Sequence, residues 1–109
     1  GMLDEIEKLY DKLKIISDNF LDYKKRNDLV PVQACLKEIQ GFSVWFMQEN
    51  HLENNETEWK MLSEKLIEIL QDIVQAIEQQ DYVLMHDAIT YGMMEYLRIF
   101  LPNNVRETK

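Results

Sequence analysis

Between Trp59 and Leu101 apolar residues recur at helical spacing, interrupted only around Gln79, Gln80 and Asp81. Trp59, Leu62, Leu66, Ile69, Ile73 and Ala76 follow one another at steps of three and four, and Leu70 and Ile77 widen the stripe. This is the pattern of an amphipathic helix buried along one face. After the interruption Met85, Ile89, Met93, Tyr96 and Phe100 repeat it. A connection this short leaves two long helices little choice but to fold back on one another, so the pattern predicts an antiparallel helical hairpin. Architecture is strongly constrained by it and chemistry hardly at all.

The first half of the chain has the same character. From about Leu3 to Arg26, Ile6, Tyr10, Leu13 and Phe20 form one line with Leu9, Ile16 and Tyr23 beside it, and Ser17 interrupts that line without breaking it. Lys24, Lys25 and Arg26 close this first helix, where cations suit the negative end of the helix dipole. Asn27 and Asp28 supply a turn. Pro31, lacking an amide hydrogen, is tolerated in the first turn of a second helix beginning near Leu29 or Val30. That helix runs through Cys35, Leu36, Ile39, Phe42, Phe46 and Met47 to about Asn50, with Gly41 a weak point. Asn55 and Glu58 form a capping-box-like start for a third helix over about Glu56 to Gln79. Asp81 caps a fourth, which Pro102 ends after Leu101. No alternating run bounded by turn residues suggests a strand. The expected fold is all-α, a four-helix up-down-up-down bundle. A single domain over residues 2–102 is expected, with 103–109 as a flexible C-terminal tail and Gly1 as the remnant of a removed tag.

Charge narrows the function classes. With 12 Lys and Arg against 20 Asp and Glu, the net charge of −8 disfavours binding to nucleic-acid phosphates or to anionic membrane surfaces. No run is long enough to span a bilayer. A single cysteine, Cys35, cannot form an intramolecular disulfide, and the N-terminal segment lacks the apolar core of a signal peptide, so a cytoplasmic location is expected. Asn55-Glu56-Thr57 matches a glycosylation acceptor but reads as the start of a helix.

No catalytic constellation stands out. A di-metal carboxylate bundle needs Glu-x-x-His on two helices. His51 is preceded at that spacing by Gln48, and His86 by Val83. Cys35 has no evident activating base and reads as a buried thiol. Gly1, Gly41 and Gly92 are isolated and build no phosphate loop. His86 is expected at the edge of the core near Tyr82 or Thr90, hydrogen-bonded and structural. Gly92, costing about 1 kcal/mol against alanine in mid-helix, is expected to admit a close helix approach or an aromatic ring such as Trp45 or Trp59. No enzymatic activity and no cofactor are expected. The alternative is a bundle-type metal- or small-molecule-dependent enzyme using His86 with inward carboxylates.

The sequence points instead to surplus apolar surface. Val44-Trp45-Phe46-Met47 sweeps most of a helix circumference, Val83-Leu84-Met85 and Ile99-Phe100-Leu101 repeat the problem, and Met94 and Leu97 lie off the Met85 to Phe100 stripe. Large exposed apolar patches mark interaction sites, and methionine suits adaptable ones. The expectation is a non-enzymatic protein-binding bundle, adaptor or chaperone-like, that binds a protein partner or itself as a homodimer, with Trp45, Met94, Leu97 and Leu101 as the binding residues.

The stretch from Asp72 to Asp87, with Asp81-Tyr82 opening the last helix and Asp87 one and a half turns later, resembles the C-terminal hairpin of a family of small all-helical proteins of Gram-positive bacteria. The family continues with Tyr-Glu where this chain has Tyr91-Gly92. The resemblance covers about a third of the chain and implies a helical fold without an assigned activity. A looser, fold-level likeness is to the small helical chaperones of flagellar export.

Overall fold

The structure, a computed structural model, describes residues 1–102; the tail expected over 103–109 lies outside the described residues. All the regular structure of the described residues is helical, with no strand among them. Its α-helices are α1 (Met2–Asp18), α2 (Phe20–Arg26), α3 (Val30–Gln33), α4 (Leu36–Gln48), α5 (Glu56–Gln79), α6 (Tyr82–Asp87) and α7 (Met94–Arg98). Between α6 and α7 the residues Ala88–Met93 form a π-helical turn.

Three of the four continuous helices read from the sequence are therefore subdivided. The first is interrupted at Asn19, whose Nδ2 donates to the Ile15 carbonyl at 2.7 Å and so competes with the backbone ladder. The second splits into α3, with Pro31 in its first turn, and α4. The fourth carries the π turn. Only α5 runs unbroken over its expected range.

Caps set the ends where the sequence places them. Asn55 Oδ1 accepts from the Glu58 amide at 2.8 Å while its Nδ2 donates to Glu58 Oε1 at 2.8 Å, closing the capping box at the start of α5. Asp81 Oδ1 accepts from the Leu84 amide at 3.0 Å and starts α6. Gln80 and Asn27, both with positive φ, end α5 and α2 in the left-handed conformation that closes many helices. Tyr82 ties two of these corners together, its hydroxyl donating to Asn27 Oδ1 at 2.6 Å.

The α5 to α7 hairpin packs on α1, and α4 leans on both α1 and α5. Ile6, Leu9, Leu13, Ile39, Phe42, Phe46, Leu66, Ile73, Ile89 and Met93 meet in one core. Gly92 has a specific use there: a β-carbon on it would lie 3.1 Å from the Ile69 side chain of α5, so the glycine lets the two arms of the hairpin close. The group it admits is Ile69 and neither Trp45 nor Trp59. Across the same turn Ser17 and Thr90 share a hydrogen bond of 2.5 Å, joining α1 to the π segment.

The π turn also explains where the surplus apolar residues go. A helix of uniform pitch leaves Met94 and Leu97 off the stripe that begins at Met85. A turn hydrogen-bonded i to i+5 takes in an extra residue and rotates the helix beyond it. Met85, Ala88, Ile89, Met93, Met94, Leu97 and Leu101 are consequently all buried. Part of the surplus expected on the last helix is thus absorbed by the core, while Val83 and Ile99 stay exposed.

Candidate functional site

Of the four residues expected to bind a partner, Met94, Leu97 and Leu101 are buried inside the chain, Leu97 with no accessible surface at all. There they pack helices together within the chain, where a helix of uniform pitch would leave them at the surface. Trp45 is half-buried and stays at the surface. It stacks on the His51 ring at 3.7 Å and meets Phe100 edge-on at 5.1 Å, while His51 Nε2 lies 2.7 Å from the Trp45 carbonyl oxygen. That packing staples the loop after α4 to the end of α7.

His86 is half-buried among aromatic rings. It packs on Phe20 at 4.6 Å and on the edge of Tyr91 at 6.0 Å, and its Nδ1 is 3.9 Å from Asp87 Oδ1. It sits near Tyr82, as expected, lining a cavity of about 20 Å³ with Ile16 and Met85. The expected hydrogen bond is not among those formed by the described residues. Nor, among the described residues, do three His, Cys, Asp or Glu side chains converge in a way that holds a metal ion. Cys35 is buried, and burial, then the nearby Glu38 carboxylate, pushes its thiol above the ordinary range, so it stays protonated at neutral pH.

A groove that could receive a ligand or partner lies between α1 and α4. It has a volume of about 410 Å³ and is floored by Ile6, Leu9 and Phe42, with Met2 also in its lining. Lys8 and Lys12 rise from α1 and Lys37 from α4, accompanied by Glu5 and Glu38. The Lys12 ammonium donates to Glu38 Oε1 at 2.8 Å and pins the two walls together. That hydrogen bond holds Lys12 above its ordinary pKa. Lys8 and Lys37 form no ion pair with the other described residues. The aliphatic stems of these lysines extend the apolar walls while their heads stay in water.

Gly41 lines this groove from the middle of α4, and a β-carbon added there would meet nothing within 4 Å. The chain itself thus gives no packing reason for a residue that weakens its helix. Sequence reasoning registered Gly41 as a weak point without reading it as a surface. The signal was a mid-helix glycine beside Lys37 in an acidic chain, and its link to Lys8 and Lys12 needed the tertiary fold.

Among the described residues no helix is long and apolar enough to cross a membrane. Residues 2–101 match the family described as Domain of unknown function (DUF8042), and the chain belongs to that family. Neither the curated proteins nor the solved structures give a match.

Proposed function

We propose that this DUF8042 protein is a non-enzymatic protein-binding module, adaptor or chaperone-like, whose docking surface is the groove between α1 and α4. The observation that carries this reading is Gly41: an open helix position above an apolar floor, kept bare where alanine would strengthen the helix. Glycine at such a point lets another backbone approach closely. The groove is open to solvent and flanked by the walls of α1 and α4, which suits an amphipathic helix laid into it. Lys8 and Lys37, uncommitted to ion pairs among the described residues, favour an occupant with acidic flanks even though the whole chain carries −8. The broken helices fit a distorted up-down bundle of four rods, in which a first rod (α1 and α2) and a second (α3 and α4) frame the groove.

The test uses synthetic amphipathic helices with an apolar heptad seam and glutamate flanks, titrated while backbone amide resonances are followed. Shifts concentrated at Lys8, Lys12, Lys37 and Gly41, and lost in Gly41→Trp, are the expected result. Shifts elsewhere, or none, would overturn the reading.

A further inference from the structure

Helix α5 carries two parallel apolar seams one residue apart. Leu62, Leu66, Ile69, Ile73 and Ala76, at steps of four and three, face the core. Ser63, Ile67, Leu70, Val74 and Ile77 repeat the same steps on the adjoining flank. The core covers that outer seam only in part: Leu70 and Ile77 pack against it, whereas Ile67 is 42% and Val74 51% exposed. A shallow trough of about 470 Å³ runs along it, lined by residues of α5 alone. On the same flank Trp59 Nε1 and Ser63 Oγ are buried with no hydrogen-bond partner among the described residues.

Alternating steps of four and three are the spacing that packs against a second helix. The residues bordering the seam on its solvent side are Lys60, Glu64, Gln71 and Glu78, two acids against one base. This is an amphipathic helix whose solvent-side flank is net acidic and carries Glu64 and Glu78, the chemistry that the lysine-edged groove between α1 and α4 calls for.

We infer that the groove receives the outer seam of α5 from a second copy of this chain. The inference rests on the groove being a protein-binding surface, as proposed above, and names its occupant. Lys8 and Lys37 of one protomer meet the Glu64 and Glu78 side of its partner, and Gly41 gives the incoming helix room. Because groove and seam are different surfaces, the contact is heterologous: each protomer offers one of each.

That property makes the test sharp. Light scattering behind a sizing column, run on the full chain up to millimolar concentration, is expected to show association in the wild type. Gly41→Trp fills the groove and Val74→Lys spoils the seam, and each alone is expected to give a monomer with unchanged helical circular dichroism. Mixed in equal amounts they are expected to recover a dimer, since the first keeps its seam and the second its groove. A monomeric wild type, association of Gly41→Trp at wild-type strength, or a mixture that stays monomeric would each overturn the inference. If acidic helices still shift the groove resonances of a monomeric wild type, the groove reading stands and only its occupant is wrong; if they do not, both fail.

Discussion

Two glycines interrupt helices in this molecule, and they sit in opposite circumstances. Gly92 lies where the hairpin arms touch, its missing β-carbon replaced by the side chain of Ile69. Gly41 lies over open space. Each costs its helix about 1 kcal/mol relative to alanine, but the seam at Gly92 regains that in packing inside the chain, whereas the groove at Gly41 regains nothing from the chain itself. A glycine with an internal partner is part of the fold. On the proposal above, a glycine without one is a place held for a partner.

The largest blow to the sealed region comes from charging it. Leu97→Lys puts an ammonium where there is no accessible surface, at a cost of about 4 kcal/mol or more. A domain of this kind has about 5–15 kcal/mol of stability in all. Urea unfolding followed by circular dichroism is expected to show most of it gone. If Leu97→Lys instead keeps its midpoint, the last helix is not packed as described and the contrast between sealed and open regions collapses.

Filling the sealed glycine is next. Gly92→Val pushes methyl groups into Ile69, which is itself buried and branched, and overpacking of that sort costs about 1–3 kcal/mol. Ile69→Ala in the same chain makes room and is expected to recover part of the loss, so the double variant should be more stable than the two single effects predict when added. Strict additivity in a denaturant series would separate Gly92 from Ile69.

Tyr96 sharpens the same region through pH. Its hydroxyl donates to the Leu62 carbonyl at 2.8 Å, and burial, with the Glu68 charge adding to it, pushes its pKa up to about 12 from an ordinary 10. The folded chain then keeps a proton that the unfolded chain releases. Stability carried by the neutral phenol is full below pH 10 and is lost as pH rises toward about 12. Tyr96→Phe is expected to lose about 1 kcal/mol at neutral pH and to unfold less steeply over that alkaline range. An unchanged alkaline slope in the variant would mean that Tyr96 is not the group responsible.

Much of the sealed region can be read from the chain because its signals are local. Asn55 with Glu58, and Asp81 before Leu84, announce helix starts through side chains that reach their own first turn. The Leu66, Ile69 and Ile73 stripe announces its buried face. The π turn is another matter: it adds one residue to a helix without any composition of its own, and Gly92 is its one visible trace. A helix of uniform pitch, without that turn, places Met94, Leu97 and Leu101 outside the core. The groove was illegible for a different reason. Its walls come from α1 and α4, and no periodicity within either helix states that Lys8, Lys12 and Lys37 border a common space.

The open region is tested by the mildest change, Gly41→Ala. A methyl group there meets no atom within 4 Å, so the substitution acts only on the helix and is expected to raise stability by about 1 kcal/mol. In a domain near this size that is a rise in Tm of about 4–8 °C. The same methyl group narrows the groove where an incoming backbone would pass, so association should weaken while the fold gains. Stability and binding moving in opposite directions on one added carbon is the signature of a glycine kept for a partner. If Gly41→Ala raises the melting temperature and leaves association untouched, Gly41 is an unused weak point, and the contrast with Gly92 loses its functional meaning.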